Sequence, residues 1–207
     1  MAAIYTVGHS THSQMRFLEL LAHHAINMVC DVRSTPRSRL NPQFNLEELD
    51  AVLPRNEIEY VFLGKELGAR SPDRSCYVEG TVQYELLAKT EAFKGGLDRV
   101  KELFDNGFRI ALMCAEKEPL QCHRSILIAR YLVAEGFEVQ HILPNGELED
   151  HGTSMRRLSE LLGLSTGNMF RSPIDLETEA YKRQEHRIAF RRPSPTAKEN
   201  KNQVREH

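Results

Sequence analysis

Five short apolar runs punctuate the chain, at Ala3–Val7, Ile26–Val32, Ile58–Leu63, Phe108–Met113 and Phe137–Leu143. Their length and β-prone residues make them strands rather than helices. The stretches between them have helical spacing. Ser13 stands where it caps a helix carrying Met15, Leu18, Leu21 and Ala22, and Asn45 precedes Leu46, Leu49 and Leu53. Residues 82–105 read as helix in one or two pieces divided at Gly95-Gly96. Ser125 to Glu135 shows apolar positions at Ile126, Leu127, Ala129, Tyr131 and Leu132 before Gly136 stops it. This alternation predicts an α/β fold: a mainly parallel five-stranded sheet with helices on both faces, a Rossmann-like three-layer sandwich.

That architecture bears on function, because loops leaving the strand C-terminal ends share one edge of a parallel sheet. Gly8-His9-Ser10, Asp31-Val32-Arg33, residues 64–70 and Cys114 to Arg124 are expected to converge on one crevice. Residues 71–80, with Pro, Gly and polar side chains, form a surface excursion. A single α/β domain is expected over residues 1–164. The remainder, 165–207, is polar, contains Pro193 and Pro195, and is expected to be a disordered or loosely helical tail.

Of the 207 residues 41% are hydrophobic and 27% charged, the balance of a soluble globular protein. No apolar run approaches the ~20 residues of a membrane span, and no basic, apolar leader opens the chain. A cytoplasmic location and no membrane partner are the resulting expectations. The four cysteines, Cys30, Cys76, Cys114 and Cys122, are too few for a disulfide framework and are available as thiols or ligands. The net charge of -2 conceals a mildly basic tail on a mildly acidic body. Wholesale nucleic-acid binding through the body is not indicated, although basic loops can still act locally.

Cys114-Ala-Glu-Lys-Glu-Pro-Leu-Gln-Cys122-His123-Arg124 gathers two thiols, an imidazole and a guanidinium on a strand-to-helix connection. Cys122 falls near a helix start, beside His123 and Arg124, where a thiolate is favoured. Cys122 and Cys114 are therefore candidate reactive groups, with packing as small core residues the competing reading. A thiol-phosphatase loop needs five residues between Cys and Arg; nine separate Cys114 from Arg124 here, so that pattern fails. Zinc is conceivable from Cys114, Cys122, His123 and His9. It is not favoured, because seven residues separate the cysteines where a zinc knuckle has two to four.

Arg33 and Arg37, with Arg39, put guanidiniums on a strand-end loop suited to an anion, and Arg124 and His123 add charge from the other motif. Ser10 supplies a hydroxyl at the same edge. His9 and Asp31 are the candidate proton carriers, with a structural role equally open to each.

Four ordered segments, TVGHS at 6–10, DVRSTPRS at 31–38, LGKELGAR at 63–70 and CAEKEPLQCHR at 114–124, together resemble the domain of unknown function 488 family over roughly residues 3–162. The resemblance implies an α/β fold without an established reaction. The third segment departs from the glycine-richer form of the family, with Lys65 and Ala69-Arg70 intervening.

The residues thus point to a strand-end pocket that binds an anionic, phosphate-bearing substrate, a nucleotide or nucleic acid among them, beside a reactive thiol. The alternatives are a non-enzymatic nucleic-acid or protein-binding module with structural cysteines, or a zinc-stabilised module.

Overall fold

The structure, a computed structural model, describes residues 3–164 and 172–193. In chain order the strands and α-helices are β1 (Ile4–Gly8), α1 (Gln14–His23), β2 (Met28–Asp31), α2 (Leu46–Val52), β3 (Glu59–Phe62), β4 (Tyr77–Val78), β5 (Thr81–Val82), α3 (Tyr84–Leu87) and α4 (Glu91–Asp105). They continue with β6 (Ile110–Cys114), α5 (Arg130–Ala134), β7 (Val139–Ile142), β8 (Leu148–Asp150), α6 (His151–Leu161) and α7 (Pro173–Ile188). All five expected strands form, and they run parallel in the order β3-β2-β6-β1-β7. A sixth strand, β8, adds to the β7 edge antiparallel. It is the return arm of the Pro144-Asn145-Gly146 turn, closed by Leu143 N–H donating to Glu147 O at 2.9 Å, with Gly146 at φ 96°.

Alternate residues of each strand serve opposite faces of the sheet. Tyr5, Val7, Val29, Ala111 and Met113 pack with Phe17, Leu20 and Leu21 of α1 and Leu49 of α2. Ile4, Met28, Cys30, Ile110 and Leu112 face Leu97 and Val100 of α4 and Ile126, Leu127 and Leu132 of the segment leading into and through α5. The result is three layers, held by two cores that the sheet separates. Right-handed crossovers account for which helix lies on which face.

Two details depart from the sequence expectation. α4 runs through Gly95-Gly96 unbroken, and the division falls between Leu87 and Glu91, where Thr90 caps α4 by accepting from Phe93 N–H. Gly96 is there for close packing: a Cβ at that position would lie 2.8 Å from Leu67 Cγ, in the loop after β3.

The second departure concerns the polar tail. Residues 173–188 form a helix with a full capping box between Ser172 and Asp175, burying Leu176, Ala180, Tyr181 and Gln184. Gln184 Nε2 donates to Leu120 O at 2.7 Å, and Glu185 accepts from Tyr84 N–H at 2.6 Å. Beyond α7, Val82 N–H donates to Phe190 O and Arg192 N–H to Gly80 O, which ties the segment to the β4-β5 hairpin. The apolar stripe is narrow, and average polarity hides it. Residues 165–171 and 194–207 lie outside the described residues.

β1 and β6 are neighbours, yet the connection from β1 returns over one face and that from β6 over the other. A crevice therefore opens at their C-terminal ends, as in other open α/β sheets.

Candidate functional site

At this edge Gly8 pairs with Cys114, His9 N–H donates to Cys114 O at 2.9 Å, and Ser10 N–H donates to Ala115 O at 3.0 Å. The loop after β6 lies so close to β1 that a Cβ on Gly8 would come within 1.9 Å of Glu116 O. Only glycine admits that approach. The loops at the strand ends bound a cleft of about 550 Å³, with Cys114, Glu116, Cys122 and His123 among its floor residues, His9, Ser10 and Arg33 on one wall, and Arg37, Arg70 and Phe190 among those at its mouth.

Arg33 is 5% exposed and rigidly held. Its Nε donates to Asp31 Oδ1 at 2.9 Å, its Nη2 to Asp31 Oδ2 at 2.6 Å and to Phe44 O at 2.8 Å, and its Nη1 to His9 Nε2 at 3.1 Å. A guanidinium has five N–H donors. Four are thereby spoken for, and one hydrogen on Nη1 remains for the cleft. Asp31, fully buried, also accepts from Arg33 N–H at 3.0 Å and from the Tyr60 hydroxyl at 2.9 Å. It sits behind Arg33, away from the cleft lining.

His9 has both ring nitrogens engaged, Nε2 with Arg33 and Nδ1 with Ser10 O at 2.9 Å, and its ring stacks on Phe44 at 4.4 Å. Burial, then the Arg33 charge, lower its pKa to about 4. The ring is neutral at pH 7 and accepts from the arginine. Arg37 instead pairs with Glu47 at the exposed mouth.

On the floor, one carboxylate oxygen meets both sulfurs. Cys114 Sγ lies 2.8 Å and Cys122 Sγ 3.1 Å from Glu116 Oε2, and each lies 3.7 Å from His123 Nδ1. His123 Nε2 donates to Val32 O at 3.0 Å. Burial, then the hydrogen bond and charge of Cys122, push the Cys114 thiol well above its ordinary value. Burial also opposes a thiolate at Cys122, but the Cys114 hydrogen bond and the Arg124 and His123 charges outweigh it, and its pKa is well lowered. Burial, then the Cys122 charge, push the Glu116 pKa up from its ordinary value. Burial disfavours the His123 imidazolium, yet the Cys122 charge and hydrogen bond prevail and raise its pKa. One sulfur is thus favoured as thiolate, with proton donors around it.

Arg124 is completely buried and does not line the cleft. Nη1 donates to Glu116 O at 2.7 Å, Nη2 to Lys117 O at 3.4 Å and Nε to Thr6 Oγ1 at 3.3 Å. It clamps the loop that carries Glu116. Arg124 itself opens a π-helix, Arg124–Ala129, that precedes α5, a distortion frequent at functional sites.

The sequence matches the family described as "Domain of unknown function DUF488" over residues 13–132. The chain belongs to this family. Three of the four ordered segments, at 31–38, 63–70 and 114–124, fall inside the matched range, and the segment at 6–10 lies just outside its start. No curated protein and no solved structure matched the chain in the comparisons made. In this DUF488 chain the LGKELGAR segment supports the arginine loop: Leu63 N–H donates to Asp31 O, and Arg70 N–H donates to Ser34 Oγ at 2.9 Å.

Of the residues singled out from sequence, Cys114, Cys122, His123, His9, Ser10, Arg33 and Arg37 line one cleft, while Asp31 and Arg124 stand behind it. Cys114, Cys122 and His123 bring one donor atom each within 4.8 Å of one another, so the cluster has the composition and size to hold a metal ion. Wide sequence spacing did not prevent this, because the loop after β6 folds back through a turn of 3-10 helix at Pro119–Gln121. Sequence reasoning gave no role to Tyr84 or Phe190, which complete the cleft from distant segments, whereas Arg70 comes from the 64–70 loop expected at this edge. It also gave none to the buried chain Thr6–His141–His151–Tyr181, joined by hydrogen bonds of 2.7, 3.0 and 2.7 Å. No sequence motif marks Tyr84, Phe190, His141, His151 or Tyr181. Among the described residues no helix is long and apolar enough to cross a membrane.

Proposed function

We propose that the cleft binds a compact anionic, phosphate-bearing substrate and transfers a group from it to the Cys122 sulfur. The observation that carries the reading is the shared space. The unspent Nη1 hydrogen of Arg33 and the Cys114–Glu116–Cys122 cluster line the same cleft. An oriented arginine fits a phosphate oxygen, with Arg37 and Arg70 adding charge at the mouth. Ser10, at φ 49°, adds a hydroxyl beside them.

In this reading Cys122 Sγ is the nucleophile and Glu116 the proton donor. A bond forms between the sulfur and the electrophilic centre, the bond to the leaving oxygen breaks, and that oxygen takes the Glu116 proton. Water, activated by the resulting carboxylate, releases the group and restores the thiolate. Asp31 and Arg124 are positioning residues, acting through Arg33 and the Glu116 loop. His9, neutral, holds the Arg33 head in place.

Calorimetric titration with inorganic phosphate and with a nucleoside monophosphate tests the binding half. Binding of either that weakens at least tenfold in Arg33→Met supports it, about the ~1.5–3 kcal/mol of a charged hydrogen bond. No binding, or equal binding by the variant, overturns it. Preference for the nucleotide would extend the occupied region toward Phe190 at the mouth.

A further inference from the structure

The floor of the cleft holds donors whose geometry exceeds what a nucleophilic thiol requires. Cys114 Sγ and Cys122 Sγ each lie 3.7 Å from His123 Nδ1. Around a tetrahedral zinc with Zn–S ~2.3 Å and Zn–N ~2.0 Å, the sulfur-to-nitrogen edge is about 3.5 Å. Both sulfur-to-nitrogen distances therefore already lie near that edge, and the two sulfurs lie within 4.8 Å of one another.

The imidazole is held for the task. Its Nε2 is committed to Val32 O at 3.0 Å, which aims Nδ1 at the two sulfurs. Metal-ligating histidines are fixed in this way, with the distal N–H on a carbonyl or carboxylate. Glu116 Oε2 lies 2.8 and 3.1 Å from the two sulfurs, so the same carboxylate oxygen already contacts both. The corresponding zinc edge is about 3.6 Å, so a shift of roughly 1 Å turns this oxygen from a hydrogen-bond partner into a fourth ligand. Two thiolates and an imidazole select a soft or borderline ion over magnesium or calcium. The cleft supplies the entry path.

We propose that Cys114, Cys122 and His123 bind one zinc ion, with Glu116 as the fourth donor, and that zinc occupancy and thiol reactivity at Cys122 exclude one another. The second half rests on the reading of the floor as a reactive thiol centre. Zinc enters as the dication, and the protons held among the two sulfurs, His123 and Glu116 leave through the cleft to solvent. No electrons move. Coordination draws charge from the bound sulfur and blocks its approach to substrate, which suppresses attack while the metal is present, so metal supply sets the fraction of active protein.

The experiment uses the full chain, stripped with chelator under reducing conditions. Zinc is titrated against a chromogenic chelator, cobalt is added in parallel, and iodoacetamide labelling of Cys122 is followed by peptide mass spectrometry with and without zinc. One equivalent of zinc, thiolate-to-cobalt charge-transfer absorption and at least tenfold protection of Cys122 are the expected results. Cys114→Ser and His123→Ala should each weaken zinc binding by about a hundredfold, whereas Cys30→Ser, remote from the cleft, should not. Circular dichroism checks that the variants fold, and if they do not, the wild-type stoichiometry and cobalt spectrum decide. Absence of the cobalt band, or unchanged affinity in folded Cys114→Ser, overturns the zinc site. If metal-free Cys122 labels rapidly while zinc neither binds nor protects, the metal inference falls and the thiol reading stands. If zinc binds but metal-free Cys122 is inert, the thiol reading and the exclusion fall while the zinc site stands.

Discussion

Replacing Asp31 by Asn removes one charge from a buried pair and leaves the other in place. Asp31 is fully buried and Arg33 5% exposed, so water cannot take over the lost interaction. The carboxylate accepts from Arg33 N, Nε and Nη2 and from Tyr60 Oη. An amide at this position keeps one acceptor oxygen and turns an NH₂ toward the guanidinium. Breaking a buried pair from one side costs about 3–5 kcal/mol. For a chain of this size each kcal/mol moves Tm by about 2–4 °C, which places the drop at roughly 6–20 °C. The double variant Asp31→Asn/Arg33→Met removes the orphaned charge and should be less destabilised than the sum of the two single changes, by about 1–3 kcal/mol. Calorimetry or thermal circular dichroism reads all three. A Tm within about 2 °C of wild type for Asp31→Asn, or strict additivity in the cycle, would refute the claim that Asp31 exists to hold Arg33.

Other outcomes follow from the same geometry. His151 titrates at about 4 because burial opposes its charged form, whereas an unfolded histidine titrates near ~6.5. The unfolded chain thus takes up the proton first, so stability is kept above pH ~6.5 and falls as pH drops toward 4, by about 2 kcal/mol between pH 7 and pH 5 from this site. Urea unfolding at the two pH values checks it, and a His151→Phe variant with the same pH slope as wild type would exclude His151 as the cause. Gly8→Ala must push Glu116 O away from a 1.9 Å contact. It should cost about 1–3 kcal/mol and slow Cys122 alkylation by displacing Glu116; an unaltered labelling rate would show that this loop does not set the thiol. Phe44→Ala removes the ring under His9 and opens a hole beside Phe17. A loss of about 3–5 kcal/mol is expected in denaturant titration, and one below about 1 kcal/mol would contradict the packing.

The parallel sheet was legible because strand and helix periods differ and five apolar runs were long enough to show the first. β8 was not, since three residues, Leu148–Asp150, carry no period, and only the turn before them was visible. α7 hid for a related reason: its contacts rest on Leu176, Ala180 and Tyr181 in an otherwise polar helix. The site divided along similar lines. His9, Arg33, Cys114, Cys122 and His123 were found by reasoning from strand ends, because topology alone brings those loops together. Side-chain direction was beyond reach. Nothing in residue type tells that Asp31 and Arg124 turn inward to hold Arg33 and the Glu116 loop. Nor does spacing reveal that Cys114, Cys122 and His123 meet, since a rule drawn from zinc knuckles presumes a short hairpin and this loop closes through Pro119–Gln121 and Arg124.

The central claim is that an arginine-lined cleft delivers an anion to the Cys122 thiolate, and a charge-matched pair of alkylating agents tests it most directly. Metal-free protein is labelled at pH 7 with iodoacetate and with iodoacetamide, and the rates at Cys122 are compared with those of the same cysteine in the urea-unfolded chain. The account predicts that folding speeds labelling by the anionic reagent at least tenfold more than by the neutral one, about the ~1.4 kcal/mol that one charge-assisted contact supplies. Phosphate should compete with that advantage, and Arg33→Met should remove it. Equal effects of folding on the two reagents, unaffected by phosphate, would contradict the account.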